Sequence, residues 1–571
     1  MDGGNKTMEY SEGVREASET SGAALPSLCS GRLGSCIPVS YRNELLQLFK
    51  LAGPVVISQM MVFMISLVST VFCGHLGKTE LAAVSLSIAV VNVTGISIGT
   101  GLAMTCDTLI SQTYGSGNLK RVGVILQRGI LILLLACFPC WAVLIHTEPL
   151  LLAVRQSPDV ARLSQLYVKI FMPALPAAFM YQLQGRYLQN QGIIWPQVIT
   201  GVIGNILNAV NNYVFLYPLD LGVAGSAAAN AISQYLLAVV LFVYICSRGL
   251  HKATWEGWSL DCLQEWGPFV KLAVPSMLML CLEWWMFEVG GVLAGLISEA
   301  ELGAQAIAYQ LTAIAYMFPL GFSAAASVRV GNALGAGNIE QAWLSCKVPI
   351  ICAFITACFI GATFSLCRKV VGYIFTTEQD ILKRVADVLV VFGFMHIADA
   401  VAGVSGGVIR GAGKQKIGAA CNLVGYYFIG FPIGASLMFA AGMGIVAGLW
   451  TGLTVCVLAQ SIFFIAYLHK LDWKKAAEEA RLRAGVQVKV EVPDTDTDAV
   501  EDPDSVVKAG KVTAVASGCE SGVEDHVAAT IVGDVLSRTQ LLVRRALTLL
   551  IMVVILVVGI LSSGFLTGLL K

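Results

Sequence analysis

The chain contains thirteen long runs of mostly apolar residues, and these runs limit its possible folds more than any other feature. The hydrocarbon core of a bilayer is about 30 Å thick, so a helix of ~20 apolar residues is long enough to cross it. Each run therefore predicts a membrane-spanning helix. The predicted spans are 50–73, 81–106, 122–146, 163–185, 196–216, 224–247, 269–297, 303–326, 345–367, 385–409, 417–439, 445–468 and 546–570.

The composition supports a membrane location. Hydrophobic residues make up 56% of the 571 residues and charged residues 13%, whereas soluble domains contain about 45–50% apolar and about 25% charged residues. The chain lacks the polar surface of a soluble globule, so we predict an all-α membrane protein. Lys+Arg and Asp+Glu are balanced at 37 each, which excludes the basic surface on which nucleic-acid binding depends.

The sequence contains no motif for nucleotide chemistry or hydrolysis, such as a Walker A loop, a GxSxG elbow, HExxH or a dinucleotide fingerprint. We therefore predict that the chain is not an enzyme, that it uses no cofactor and that an ion gradient drives its activity. None of the 16 cysteines forms a CxxC pair that is matched by a second pair or by histidines at zinc spacing, so no metal site is predicted either.

Polar segments divide the chain into six regions. They are a cytosolic N-terminal tail (1–45), a first six-helix lobe (46–247), a cytosolic interlobe loop (248–268), a second six-helix lobe (269–475), a disordered acidic cytosolic linker (476–540) and a C-terminal spanning helix (541–571). Basic residues are concentrated in the loops after even-numbered spans, which places the N-terminus in the cytoplasm and the C-terminus outside the cell. The basic loop between the ninth and tenth spans is the exception. Arg186 and Arg410 are assigned to the cytosolic loops, so no basic residue is expected at the membrane midplane.

Short motifs recur with an offset near 220 residues, which is the spacing between the first and seventh spans. Because each half has six spans, both halves enter the membrane from the same side, and a pseudo-twofold axis should run along the membrane normal. Transporters with this plan bind substrates between the lobes near the midplane. The matched motifs are KLAGP (50–54) with KLAVP (271–275), YGSGN (114–118) with LGAGN (334–338), and QNQG (189–192) with RGAG (410–413).

Ionisable residues are rare inside the predicted spans. A charge at the centre of a membrane helix costs about 2.5–3.5 kcal/mol on insertion scales, so each such residue is a functional candidate. Four lie in the second lobe: Glu283 and Glu288 in the seventh span, and His396 and Asp399 in the tenth. His396 and Asp399 share a helix face, so the histidine can influence the acid, although a packed, hydrogen-bonded histidine is the alternative. Asp107, near the cytosolic end of the second span, is expected to cap a helix or form a salt bridge.

The seventh span combines acids with aromatic residues. At ~100° per residue, Glu283 and Glu288 lie about 140° apart and do not share one face. Trp284 and Trp285 lie on the face of Glu288, and Phe287 lies on that of Glu283. A carboxylate beside aromatic rings offers a desolvated cation both a countercharge and cation–π contacts. Since the first span contains no carboxylate, proton coupling is predicted in the second lobe.

Several long blocks resemble the multidrug and toxin extrusion (MATE) family. They are QMMVF (59–63), VFCGHLG (71–77), CDTLISQTYGSGN (106–118), CLEWWMFEVG (281–290) and ASVRVGNALGAGN (326–338). The resemblance covers residues 45–475, and animal members are the most similar because they share the acidic linker and the thirteenth helix. It implies a proton-coupled antiporter that exports small organic cations across the plasma membrane, typically the apical one. We expect it to function as a monomer.

The resemblance also implies roles for individual residues. The coupling acids fall on Glu283, Glu288 and Asp399, and the thiols implicated in animal members fall on Cys73 and Cys137. The expected cavity residues are Gln59, Asn92, Trp284, Tyr309, Gln310, Tyr316 and His396. Gln310 and Asp399 are departures, because animal members usually have glutamate at both positions, and Gln310 cannot titrate.

Two other functions remain open at this point. A sodium-coupled exporter of the same fold would bind Na⁺ with the same carboxylates. A lipid-linked precursor flippase would favour a basic cavity, whereas the charges expected within the membrane here are mostly acidic. For the cation exporter, flat monovalent cations should be carried well and simple organic anions poorly.

Overall fold

A computed structural model describes residues 38–73, 76–376, 378–440, 442, 444, 448–486 and 536–570. The chain divides into two compact units, residues 1–46 and 47–571. The described part of the first unit is residues 38–46, which are helical from Val39. The rest of the predicted N-terminal tail lies outside the described residues.

Thirteen helices among the described residues are long and apolar enough to cross a membrane, and they coincide one to one with the predicted spans. The all-α membrane fold predicted from the sequence is thus confirmed. The helices are α1 (Val39–Cys73), α2 (Thr79–Gly115), α3 (Leu119–Leu144), α4 (Pro158–Gln189), α5 (Trp195–Leu216), α6 (Gly222–Ser247), α7 (Trp266–Gly291), α8 (Ala300–Gly335), α9 (Ile339–Leu366), α10 (Gln379–Gly411), α11 (Gln415–Ala440), α12 (Leu449–Lys470) and, after the short polar helix α13 (Trp473–Arg483), α14 (Arg538–Leu566).

Helices α1–α6 form the N-lobe and α7–α12 the C-lobe, and their repeated motifs form equivalent turns. Gly117 after α2 and Gly337 after α8 have φ values of +82° and +76°, a left-handed conformation that glycine adopts without steric cost. The next residues, Asn118 and Asn338, cap the following helices, because their side chains accept hydrogen bonds from the backbone N–H groups of α3 and α9. The YGSGN and LGAGN motifs therefore encode the same helix–turn–helix connection.

The two lobes meet where these motifs lie. A Cβ added to Gly115 would collide with the backbone of Asn332, and one added to Gly335 would collide with the backbone of Gln112. The offset of 220 residues relates Gly115 to Gly335 and Gln112 to Asn332. The two contacts are therefore equivalent, as expected for a twofold relationship. The pseudo-twofold axis therefore passes between the ends of α2 and α8.

The interlobe loop, residues 248–265, lies on the side of the membrane at which α2 and α8 end. We call this side of the membrane the interlobe face. Arg121 and Arg128 of α3 hold this loop through Glu265, with Nη2–Oε2 distances of 2.9 and 3.1 Å. All three side chains are nearly buried. The connection between the lobes is therefore anchored to the N-lobe.

Hydrogen bonds close the two lobes together at this face, and we call this set the interlobe seal. From α2, the Thr108 hydroxyl donates to the backbone carbonyl of Arg410 at 2.6 Å, and the Gln112 amide donates to that of Gly411 at 2.8 Å. Arg483 of α13 donates to the Gln112 side-chain oxygen at 2.9 Å. The seal thus joins the N-lobe to α10 and α13.

Helix α13 corrects one predicted boundary. The acidic linker was predicted to begin at residue 476, but residues 473–483 are helical. Asp472 caps the helix N-terminus, and Glu479 forms salt bridges with Arg483 at 2.9 Å and Lys414 at 2.8 Å. Local capping and i,i+4 pairing account for the extra turns of helix. Residues 487–535 of the predicted linker lie outside the described residues.

Helix α14 is docked on the N-lobe. Near the interlobe face, Arg545 donates to the backbone carbonyl of Leu263 at 2.6 Å and lies 4.1 Å from the ring centre of Trp266. Near its other end, the Ser563 hydroxyl donates to the carbonyl of Ile145, just past α3, at 3.2 Å. Helix α14 therefore crosses the membrane in the same direction as α3.

The interior of the N-lobe contains a neutral polar network. Ser69 of α1 and Asn208 of α5 both donate to the side-chain oxygen of Asn230 in α6, at 2.7 and 3.0 Å. The Asn230 amide in turn donates to the Tyr167 hydroxyl at 2.5 Å, and Asn212 donates to Ser69 at 3.1 Å. All five side chains are buried. The network contains no carboxylate and no basic group, and it ties together four helices.

Candidate substrate and coupling site

A cavity of about 410 Å³ lies between the lobes, a size suited to a small organic molecule. Helices α1, α2 and α4 of the N-lobe and α7, α8, α10, α11 and α12 of the C-lobe all contribute to its lining. The lining extends from Arg410, near the interlobe face, to Thr70 in the last turn of α1. Because the interlobe seal joins the lobes below Arg410, this end of the cavity forms its floor.

Three carboxylates from two C-lobe helices line the cavity. Glu283 and Glu288 come from α7 and are part-exposed, and Asp399 comes from α10 and is 8% exposed. Among the described residues, no basic side chain lies within 4.0 Å of any of the three, in contrast to the buried acids Asp107 and Glu265. Although the two glutamates lie on different faces of α7, both reach the cavity, which therefore curves around this helix.

Aromatic side chains surround these acids. Trp284, Phe287, Tyr309 and Tyr316 line the cavity, and the Tyr316 hydroxyl lies beside the Glu283 carboxylate. The rings of Phe287 and Tyr309 are 5.9 Å apart between centroids. Trp285, expected on the face of Glu288, is not part of the lining, because its indole N–H donates to the backbone carbonyl of Val93 in the N-lobe at 3.0 Å. The cavity thus combines negative charge with aromatic faces, as cation binding requires.

The other expected cavity residues fall into two groups. Gln59 and Asn92 of the N-lobe and Gln310 of the C-lobe line the cavity and contribute neutral polar groups. His396 does not line it. This side chain is fully buried inside the C-lobe, with its ring 5.0 Å from that of Phe392. A displacement of about 60° around α10 from Asp399 is enough to turn the histidine away from the cavity.

The two predicted functional thiols lie elsewhere. Cys73 and Cys137 are 0% and 1% exposed in the hydrophobic core of the N-lobe, and neither lines the cavity. Their position is that of small apolar side chains in a packed core. Among the described residues, no group of three or more His, Cys, Asp or Glu side chains is arranged to hold a metal ion.

Two arginines assigned to loops by the sequence lie in the membrane helices and line the cavity. Arg186 of α4 is 6% exposed and forms a salt bridge with Asp107 of α2 at 3.1 Å. The Asn190 side chain also donates to Asp107, at 3.2 Å. Arg410 of α10 is 8% exposed. The assignment of Arg186 and Arg410 to loops is therefore wrong, and the salt-bridge alternative for Asp107 is correct.

Comparisons with known proteins agree with this architecture. The MatE family model matches residues 54–214 and 275–436, one block in each lobe. Multidrug and toxin extrusion protein 1 of Danio rerio is 63% identical over 557 residues, covering 95% of this chain and 94% of that protein. The Homo sapiens protein of the same name is 52% identical over 543 residues, covering 92% and 94%.

A solved structure also matches, that of the eukaryotic MATE transporter AtDTX14. Its TM-score is 0.75 at 29% identity, and the match covers 78% of this chain and 100% of that one. The same two-lobed arrangement is thus found in a transporter of known structure. The chain belongs to the multidrug and toxin extrusion (MATE) family of membrane transporters, and it is not an enzyme.

Proposed function

We propose that this transporter is a proton-coupled antiporter that exports small organic cations. The observation that carries this proposal is the set of Glu283, Glu288 and Asp399, three carboxylates that line one aromatic cavity between the lobes and have no basic side chain within 4.0 Å among the described residues. A carboxylate away from bulk water and without a countercharge is stabilised by binding either a proton or a cation. Competition between these two ligands for the same groups is the minimum requirement for antiport.

Charge distribution supports an orientation for the exchange. The interlobe face carries Lys252 and Lys414 in its loops and Lys120 and Lys416 in the first turns of α3 and α11, so the positive-inside rule assigns this face to the cytosol. Since α14 crosses the membrane in the same direction as α3, we infer that the C-terminus lies outside the cell. As the family resemblance implies, we propose that the transporter lies in the plasma membrane, at the apical surface, and acts as a monomer.

The closed interlobe seal corresponds in this orientation to a state in which the cavity is shut off from the cytosol. Protonation of the acids from the outer side would weaken cation binding and release the substrate outward. After the lobes rearrange, deprotonation toward the cytosol would restore the anionic site for the next cation. A proton gradient directed inward therefore drives cation export.

The test is transport by purified full-length protein in liposomes, with an imposed pH gradient and tetraethylammonium as the probe. Uptake should follow the pH gradient in sodium-free buffer and stop when the gradient is dissipated. Dependence on a sodium gradient alone would replace this proposal with the sodium-coupled alternative. Transport of a lipid-linked pyrophosphate without cation flux would favour the flippase, which the acidic cavity disfavours.

A further inference from the structure

Lys347 is a charged residue within a membrane-spanning helix, away from the cavity. Helix α9 has 28 residues, about 42 Å at a rise of 1.5 Å per residue, so it spans a bilayer of about 40–45 Å together with its headgroup layers. Lys347 follows the first residue of α9 by eight positions, or about 12 Å, which is deeper than a headgroup layer of about 5–8 Å. A charge at this depth is costly and is therefore a candidate for a binding role.

Lys347 lies on the face of α9 that is turned toward the lipid. Ile351, Phe354 and Ile355 follow it by four, seven and eight positions, which is the spacing of one helix face, and are 52%, 49% and 49% exposed. The Lys347 ammonium lies 4.4 Å from the ring centre of Trp343, one turn nearer the interlobe face. The side chain therefore bends back toward the headgroups, as long basic side chains near helix ends do.

Trp343 is the centre of an aromatic cluster to which three helices contribute. Its ring lies 5.5 Å from that of Trp473, at the start of α13, and 6.4 Å from that of His469, at the end of α12. Lys470 and Lys474 adjoin these rings in the sequence and are exposed. Amphipathic aromatic rings are typical of the membrane–water interface. We use the name Trp343 patch for Trp343, Lys347, His469, Lys470, Trp473 and Lys474.

The protein itself does not balance the positive charge of the Trp343 patch. Among the residues that the structure describes, no carboxylate lies within 4.0 Å of the ammonium group of any of its three lysines. Of the neighbouring acids, Asp472 caps α13 and Glu479 forms the salt bridges of α13 described above. Glu340 and Glu478 are exposed, and neither is paired with a lysine of the patch. The three ammonium groups are therefore available to an external anion.

The equivalent position in the N-lobe is built differently. The offset of 220 residues relates Lys347 to Gln127 of α3. Gln127 is 2% exposed, and its amide donates to a backbone carbonyl of the interlobe loop at 2.6 Å. The nearby basic residues Arg121 and Arg128 are balanced by Glu265. The N-lobe thus covers and neutralises this surface with its own residues, whereas the C-lobe leaves a positive surface exposed to the lipid.

We propose that the Trp343 patch binds the headgroup of an anionic phospholipid that carries more than one phosphate, with the acyl chains along the apolar face of α9. Basic clusters beside a spanning helix attract such lipids, and lysine binds phosphate as a point charge. Three lysines exceed the single charge of a phosphodiester, which favours a headgroup with further phosphates. In the orientation proposed above, the lipid belongs to the cytosolic leaflet, which contains the anionic lipids. This inference goes beyond the proposed function and does not depend on it.

The test measures the binding of dioctanoyl phosphatidylinositol 4,5-bisphosphate to the purified full-length protein in a neutral detergent. The Kd is obtained by microscale thermophoresis. Lys347→Gln should raise the Kd about fivefold, the contribution of one lysine near a membrane surface. Lys470→Gln combined with Lys474→Gln should raise it about 25-fold if the two contributions add. Lys347→Arg keeps the charge and should leave the Kd within about twofold of the wild-type value.

Two controls separate this site from general attraction to basic residues or to acyl chains. Lys252→Gln makes the same change to an exposed lysine of the interlobe loop and should keep the wild-type Kd. Dioctanoyl phosphatidylcholine, which has the same chains and no net charge, should bind at least about tenfold more weakly. An unchanged Kd in Lys347→Gln would overturn the proposal. If Lys347→Gln does not fold, the double variant at the exposed positions decides by the same criterion.

Inositol 1,4,5-trisphosphate distinguishes a lipid from a soluble polyphosphate, because it carries the phosphates of the headgroup without the acyl chains. Its Kd should be at least about tenfold higher than that of the lipid, since the chains add apolar contacts with α9. Equal Kd values for the two probes would identify a site for a soluble anion, and the lipid proposal would be wrong. These measurements use neither an organic cation nor a pH gradient. Their failure would leave the proposed antiport untouched, and failure of the antiport would leave this inference intact.

Discussion

The two lobes share a fold and a repeated sequence, yet their interior polar groups are chemically different. The N-lobe network consists of neutral amides and hydroxyls, whereas the C-lobe places three acids along the cavity. When KLAGP is aligned with KLAVP, Glu283 and Glu288 correspond to Val62 and Leu67 of α1, which also line the cavity. Of these two equivalent helices, α7 therefore brings carboxylates to the cavity and α1 does not.

This difference indicates a division of labour. Neutral amides can both donate and accept, so the N-lobe groups hydrogen-bond to one another and hold four helices together. Ionised carboxylates can only accept hydrogen bonds, so the three acids of the C-lobe cannot satisfy one another, and under the proposed function they bind protons or cations instead. We therefore expect the N-lobe to act as the scaffold and the C-lobe as the coupling element.

The largest expected effect is that of Glu288→Gln on coupling. Glutamine keeps the shape and most of the hydrogen bonding of a protonated glutamate but cannot release a proton. Cation flux driven by a pH gradient in liposomes should fall at least tenfold, about the loss that 1.4 kcal/mol represents. Glu256→Gln, the same change on the exposed interlobe loop, is the control. Wild-type flux and pH dependence in Glu288→Gln would leave Glu283 or Asp399 as the coupling acid.

A substitution in the N-lobe network should affect stability instead of coupling. Asn230→Ala removes hydrogen bonds to Ser69, Asn208 and Tyr167, and a buried partner left unsatisfied costs about 1–3 kcal/mol. The thermal midpoint in detergent should fall by about 3–6 °C. The pH dependence of flux per folded molecule should not change.

The control for this substitution is Asn205→Ala, because Asn205 is only half-buried and donates to two backbone carbonyls. We expect it to have the smaller effect on the midpoint. A shifted pH dependence in Asn230→Ala would show that the N-lobe takes part in coupling, and the division of labour would then be wrong.

The interlobe seal should be insensitive to pH, because Glu479, which forms a salt bridge with the seal residue Arg483, stays ionised. Burial acts to raise the pKa of the Glu479 carboxyl, but the hydrogen bond and charge of Lys414, together with Arg483, lower it below its ordinary value of 4.5. Because the pKa of Glu479 is lowered, its salt bridges are present at pH values above 4.5 and are lost only as the pH falls below 4.5. Between pH 6 and 8, Glu479 therefore stays ionised.

Glu479→Gln should accordingly weaken the seal by the same factor throughout this pH range. We expect hydrogen–deuterium exchange of residues 112–118 to accelerate about twofold to threefold, as for a part-exposed ion pair. Glu478→Gln, on the same helix, is the control. A factor that differs between pH 6 and pH 8 would place a pH-responsive element outside the C-lobe cavity.

The smallest effect on transport is expected from removing α14. The chain should be truncated after residue 486, because α13 and the seal extend to that point. Flux per inserted molecule should stay within about twofold, since α14 contacts α3 and the interlobe loop but does not line the cavity. The midpoint should fall slightly as these contacts are lost. Complete loss of flux in correctly inserted protein would make α14 part of the transport machinery.

Hydropathy and local motifs were sufficient to predict the fold. Every predicted span is a helix, because a bilayer leaves an apolar run of this length few alternatives. The glycine and asparagine of the repeated turns encode backbone conformation and capping directly. The acids Glu283, Glu288 and Asp399 could be found because charge is rare in such helices.

Side-chain contacts between residues distant in the chain could not be predicted from the sequence in the same way. Arg186 and Arg410 look like loop residues because a hydropathy profile ends each helix at a charge, although α4 and α10 continue beyond them. Asp107, which pairs with Arg186, is 79 residues away in the chain. The His396 side chain was expected to line the cavity because it shares a helix face with Asp399. A shared face is about 60° wide at this spacing, so only one of the two side chains reaches the cavity. Helix α13 did carry a signal, the i,i+4 pair Glu479 and Arg483, but the acidic residues that follow obscured it.

The contacts of Gly115 with Asn332 and of Gly335 with Gln112 form a seam between the lobes that also affects the transport cycle. It brings main chain against main chain, so closing it immobilises no side-chain rotamers and carries little side-chain entropy cost. Because the two glycine contacts are reciprocal, making one positions the other, and the seam should close cooperatively, as a single unit. An alanine at either glycine would therefore hold both contacts apart, and one methyl group would bias the whole transporter toward states open at the interlobe face.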